Sequence, residues 1–128
     1  IRSDFPGGWK EDSINAFTGK GLSTVQLDIQ NYLKKLLNWR KNNPVIADGR
    51  VLHFAPFDGV YVYFRYNKEK TVMVIMNKNQ TQVSIDTKRF AEILKNRTRA
   101  TDVITGEDVL LQNGIMVSPK TTAVFTVE

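Results

Sequence analysis

Residues 1–21 carry no apolar period. Pro6, Gly7-Gly8, Gly19 and Gly21 interrupt them, so the segment reads as a loop. The pattern changes just after it. Val25, Ile29, Tyr32, Leu33, Leu36 and Leu37 follow the spacing of one helical face, with Lys34, Asn38 and Lys41 opposite. Ser23 suits an N-cap, and Gln26 can close a capping box onto it. Leu22 and Leu27 can form a hydrophobic staple, which accounts for Leu27 lying off the main stripe. Asn42-Asn43-Pro44 ends the run, because the residue before a proline is pushed out of helical geometry. The spacing predicts a helix over Thr24–Lys41 whose wide apolar stripe needs a substantial partner surface.

From residue 50 onward the period falls from 3.6 to 2. "RVLHFA" and "VYVYFRY" flank "PFDG", whose Asp-Gly pair predicts a tight hairpin. "TVMVIMN" is apolar on both faces and predicts a central strand covered on both sides. "TQVSI" follows, and "TKRFAEILK" is a helical interruption with Phe90, Ala91, Ile93 and Leu94 at helical spacing. "ATDVI", "EDVLLQ", "GIMVSP" and "TAVFTVE" complete eight short strands, with Thr105-Gly106 and Asn113-Gly114 at turns. The expected fold is mainly β: an antiparallel Greek-key β-sandwich preceded by a loop and one long helix.

Composition narrows the function classes. The chain has 128 residues, enough for one domain core. It holds 18 basic and 13 acidic side chains, a net charge of +5 that invites a nucleic-acid reading. Lys and Arg are interspersed with Asp and Glu, however, which describes a solvated surface and points to no nucleic-acid partner. No segment approaches the roughly 20 apolar residues of a membrane span. Cysteine is absent, so disulfides and thiolate metal sites are excluded. His53 has no His or carboxylate at ligand spacing, and no cofactor or metal is expected. Asn79 and Asn96 begin Asn-x-Thr triplets of a kind that arises often by chance. The chain opens on Ile1 rather than Met, so the true start is expected to lie upstream, with any signal peptide; the compartment, periplasmic or cytoplasmic, is not readable.

The residues "RSDFPGGW…NAFTGKGL" followed by "LKKLLNWRKNNPVIADGRVLHFAP…GVYVYFRY" resemble the C-terminal part of bacterial alpha-amylase-family glycoside hydrolases, closest to the neopullulanase and cyclomaltodextrinase subgroup. "TKRFAEIL" is similar to that family's Arg-Phe-x-Glu crossover and "ATDVITGEDVLL" to its Asp-Val-x-Thr-Gly strand pair. The resemblance implies that residues 1–43 are the last loop and last helix of a (β/α)8 barrel and that residues 44–128 are the sandwich called domain C. It implies a retaining α-glycosidase acting on starch, maltooligosaccharides, pullulan or cyclodextrins, with the barrel as partner and dimers common in the subgroup. Active sites of such barrels sit on the loops after the strands. The Ile1–Gly21 loop would then line a sugar cleft.

Retaining hydrolysis needs two carboxyl groups about 5 Å apart. In that family they follow earlier barrel strands, so no catalytic residue falls in this chain and the segment by itself is expected to be inactive. Arg2 and Asp4 have two readings: pairing with each other or capping the Pro6-Gly7-Gly8 turn, or contacting sugar hydroxyls. Trp9 is either a platform for a glucose ring or packed under the loop, and Phe5 is expected to be a buried anchor. Arg40 lies on the apolar face of the helix and needs a carbonyl or carboxylate partner. Trp39 beside it is expected to pack where the helix meets the sandwich. Tyr61 and Tyr63 share a strand face with Arg65. They are either a cross-strand aromatic cluster or a sugar platform, the latter being the mark of an alternative function as a carbohydrate-binding module.

Overall fold

The computed structural model describes residues 4–128. Its contacts divide the chain into two compact units, Ile1–Leu37 and Asn38–Glu128. The helix α1 spans Thr24–Lys41, beginning in the first unit and ending in the second. The capping box forms as expected: the Ser23 backbone N–H donates to Gln26 Oε1 at 2.9 Å, and the Gln26 N–H donates to Ser23 Oγ at 3.3 Å. Two orphan donors of the first turn are thereby satisfied, which anchors the helix start without tertiary help.

In the second unit a short helix α2, Val45–Asp48, follows directly, with Pro44 at its N-cap. The sequence reading did not identify it. Its signal was present, since Pro at a helix start and Gly just past its end bracket "VIAD". Val45 anchors it with an exposure of 1%.

Eight strands follow: β1 Arg50–Phe57, β2 Val60–Tyr66, β3 Thr71–Asn77, β4 Val83–Ile85, β5 Arg99–Asp102, β6 Asp108–Leu110, β7 Ile115–Val117 and β8 Thr122–Val127. Six form one antiparallel sheet in the order β1-β2-β3-β8-β5-β6, and β4 pairs with β7 in a second layer. The β1–β2 hairpin turns on Asp58 (φ 46°) and Gly59 (φ 73°), the left-handed pair that a two-residue turn of this kind requires. A Cβ on Gly59 would also run into the Asn79 amide, which donates to the Asp58 carbonyl at 2.9 Å. The central position expected for the doubly apolar segment is confirmed. Val72, Met73, Val74 and Ile75 of β3 are all buried.

The core lies between the layers. Val62, Phe64, Met73, Ile75, Phe125 and Val127 of the large sheet meet Ile85, Ile115 and Val117 of the small one. A 3-10 turn over Thr87–Phe90 and the helix α3, Ala91–Leu94, cover one end. Phe54, Phe64 and Phe90 pack edge-on or tilted there, with centroids 4.8–5.9 Å apart. The Arg-Phe-x-Glu stretch works as a clamp: Phe90 enters the core while Arg89 Nη2 donates to the Ala55 carbonyl at 2.7 Å.

The corner where β3 crosses to the second layer is held by a buried amide. Asn77 Nδ2 donates to the carbonyls of Thr81 (3.0 Å), Val117 (3.3 Å) and Ser118 (3.0 Å), and its Oδ1 accepts from Asn79 N–H at 2.9 Å. Asn77→Ala strips several buried groups of their partner at once. The expected cost is about 3 kcal/mol, to be read from a lowered urea midpoint at unchanged slope.

Candidate interface: the first loop and the apolar face of α1

The first loop is a built structure held by its own polar side chains. Asp12 accepts from the N–H groups of Gly7 (2.7 Å) and Trp9 (3.1 Å) through one carboxylate oxygen. Asn15 Oδ1 accepts from Phe17 (3.0 Å) and Thr18 (3.1 Å), and the Asn15 N–H donates to the Lys20 carbonyl at 2.8 Å. Such local side-chain bonds give turn geometry to a backbone with no ladder to join. Gly7, at φ 101°, leaves room for Asn15, whose Cα lies 2.9 Å from where a Cβ would stand. The loop is tied to its helix by Gln30 Nε2, which donates to the Ala16 carbonyl.

This geometry corrects several expectations. Asp12, not Asp4, caps the Pro6-Gly7-Gly8 turn, because its carboxylate accepts from the Gly7 and Trp9 N–H groups. Arg2 lies outside the described residues. Phe5 is not a buried anchor. It is 63% exposed and meets the rim of Phe17 at a centroid distance of 5.2 Å. Trp9 does not pack under the loop. It is 69% exposed.

The helix presents the main surface. No residue of α1 is buried. Val25 and Ile29 are 67% and 57% exposed, and Leu33 and Leu37 are about half exposed. An apolar groove of about 780 Å³ runs between loop and helix, lined by Phe17, Leu22, Leu27, Ile29, Leu33 and Leu37 among others. Leu22 and Leu27, expected to form a staple, both face this groove. At the end of α1, Trp39 is half-buried and its carbonyl accepts from Asn43 Nδ2 at 2.7 Å. Arg40 is exposed, and its guanidinium has no hydrogen bond or ion pair among the described residues. The expected partner is thus not among those residues.

On the sandwich, Tyr61 and Tyr63 are half-buried with centroids 5.8 Å apart, and His53 meets Tyr61 at 6.3 Å. This is the cross-strand aromatic arrangement, since His53 stands opposite Tyr63 in the β1–β2 register. Arg65 extends from the same face to donate to the Ala47 carbonyl of α2 at 3.0 Å. Among the described residues no group of three or more His, Asp or Glu side chains is placed to hold a metal. Nor is any helix among them long and apolar enough to cross a membrane.

The fold resembles those of solved alpha-amylase structures. AmyP in complex with maltose superposes with a TM-score of 0.70 at 17% identity, over 84% of this chain and 22% of that one. An alpha-amylase from Anoxybacillus superposes with a TM-score of 0.64 at 17% identity, over 94% and 26%. At such identities the likeness speaks for the fold alone. A maltogenic alpha-amylase of Bacillus acidopullulyticus is 30% identical over 93 residues, which are 68% of this chain and 15% of the relative. The chain thus spans about a sixth of that relative's length. The cyclo-malto-dextrinase C-terminal domain family matches residues 51–126. The chain belongs to that family, and is a C-terminal domain of the alpha-amylase type.

Proposed function

We propose that the chain is the C-terminal part of a retaining α-glycosidase cleaving α-glucans such as starch, maltooligosaccharides, pullulan or cyclodextrins. Residues 1–43 form the last loop and last helix of its (β/α)8 barrel, and residues 44–128 form domain C. The observation that carries this is the stripe on α1. A helix that caps both its first N–H groups and still exposes Val25, Ile29, Leu33 and Leu37 is shaped for an apolar neighbour. A barrel sheet supplies one, because every barrel helix buries one face against the strands.

In this reading the chain contributes no catalytic carboxylate. Its loop, braced by Asp12 and Asn15, would bring Asp4 and Trp9 to the rim of the sugar cleft. An exposed indole gives a sugar ring an apolar face to lie on, and a neighbouring carboxylate accepts from its hydroxyls. The sandwich then stiffens the point where the barrel closes. The full-length protein that contains this chain is expected to release sugars from maltoheptaose with retained anomeric configuration. The 128-residue chain is expected to release none. A full-length protein inert toward every α-linked glucan overturns the reading.

A further inference from the structure

A second concave surface lies within the sandwich. It is a cleft of about 340 Å³ at the open end between β1–β2 and β4, floored by Val62, Ile85 and Phe90 and rimmed by Phe57, Asp58, Asp86 and Arg89. Its construction starts from a bulge. The β1–β2 register slips between Phe54 and Phe57, which takes Ala55 and Pro56 out of the ladder. The Ala55 carbonyl accepts instead from Arg89 Nη2, and this holds the guanidinium 5.7 Å from the Phe57 ring centroid and 5.9 Å from that of Phe90. The same slip places Phe57 at the hairpin's tip with 70% of its surface exposed, an unusual outcome for a phenylalanine.

The charges around this cleft do not neutralise one another. The Arg99–Asp108 contact is the ion pair found among the described residues, and it lies elsewhere. Asp86 spends one carboxylate oxygen on the Lys88 N–H at 3.0 Å, and the Asp58 carboxylate accepts no hydrogen bond among the described residues. The rim therefore offers two carboxylate acceptors and a fixed guanidinium donor beside an exposed aromatic ring. Two carboxylates against one cation disfavour an anionic ligand. An apolar floor and ring favour a ligand with a C–H face, and the mixed donors and acceptors favour one dense in hydroxyls. Both requirements meet in a neutral pyranose. The volume lies at the low end of the roughly 300–1,000 Å³ of small-molecule sites, which suits a chain end rather than a long oligomer.

We infer that this cleft is a sugar-binding subsite of the sandwich, with Phe57 as the stacking platform and Asp58, Asp86 and Arg89 as hydroxyl-binding groups. The choice of an α-linked glucose oligomer as ligand rests on the function proposed above. The test is titration of the 128-residue chain with maltotriose, followed by backbone amide shifts. Shifts confined to Asp58, Gly59, Ser84, Asp86 and their neighbours are expected. Phe57→Ala, at a position exposed enough not to disturb folding, is expected to weaken binding about tenfold. Asp58→Asn keeps a side chain that tolerates positive φ and is expected to weaken it by a smaller factor. No shifts at millimolar maltotriose, or unaltered binding by Phe57→Ala, overturns the subsite. Shifts with a β-linked glucose trisaccharide and none with maltotriose overturn the α-glucan assignment. The readout is binding to this chain alone, so it stands or fails separately from hydrolysis by the full-length protein.

Discussion

Ile29→Asp is expected to give opposite results in two settings. In the 128-residue chain the position is more than half exposed, so the substitution costs only helix propensity and a partial apolar contact, about 1 kcal/mol or less. In the full-length protein the same side chain lies against the barrel in the proposed arrangement. There the change forfeits about 2 kcal/mol of apolar burial and forces a carboxylate into a site without a partner, for a total of about 4 kcal/mol or more. Thermal unfolding of the full-length protein, and α-glucan hydrolysis after brief heating, measure the larger effect. Far-UV circular dichroism of the chain measures the smaller. Equally small losses in both settings would remove the reason for giving α1 an apolar neighbour.

Phe64→Ala is expected to cost about 3–5 kcal/mol, a large share of the roughly 5–15 kcal/mol that holds a domain of this kind together. Phe64 has 0% exposure and stands between Phe54 and Phe90, at centroid distances of 5.9 and 5.7 Å. Truncation opens a cavity where β1, β2 and the crossover meet, and stiff aromatic neighbours cannot close it. The loss is measured by urea unfolding, with Phe57→Ala as the comparison. Phe57 is on the adjoining strand and of the same residue type, yet exposed, and its truncation is expected to move the midpoint little. Similar midpoints for the two variants would mean that the core is not organised around the aromatic trio.

Much of the fold was legible because its signals are local. The extent of α1 follows from Ser23, Gln26 and Pro44, each acting within one turn of its own position. The β1–β2 turn follows from Asp58-Gly59, which few other residue pairs could replace at two positive φ angles. The burial of β3 follows from an apolar run with no polar face to offer solvent. The missed helix α2 was too short for any period to emerge, although Pro44 and Gly49 marked its ends.

The candidate surfaces were less legible, for a different reason. Whether Phe5 is buried, whether Trp9 lies under its loop, and which Asp caps the turn all depend on which group arrives from a few residues away. Asp4 and Asp12 look alike in sequence, and only the closed loop brings Asp12 to the Gly7 and Trp9 N–H groups. The cleft at Phe57 could not be read at all. It needs a bulge in β1, a carbonyl left free by it and an arginine more than thirty positions later to occupy that carbonyl.

The sequence by itself determined the long helix with its apolar stripe, the eight strands and the central place of β3, since each rests on periodicity or turn chemistry. Tertiary structure alone decided the division of strands into layers of six and two, the loop's internal bonding and the cleft beside Arg89. Those depend on contacts between residues far apart in the chain, and a one-dimensional pattern carries no record of which distant groups will meet.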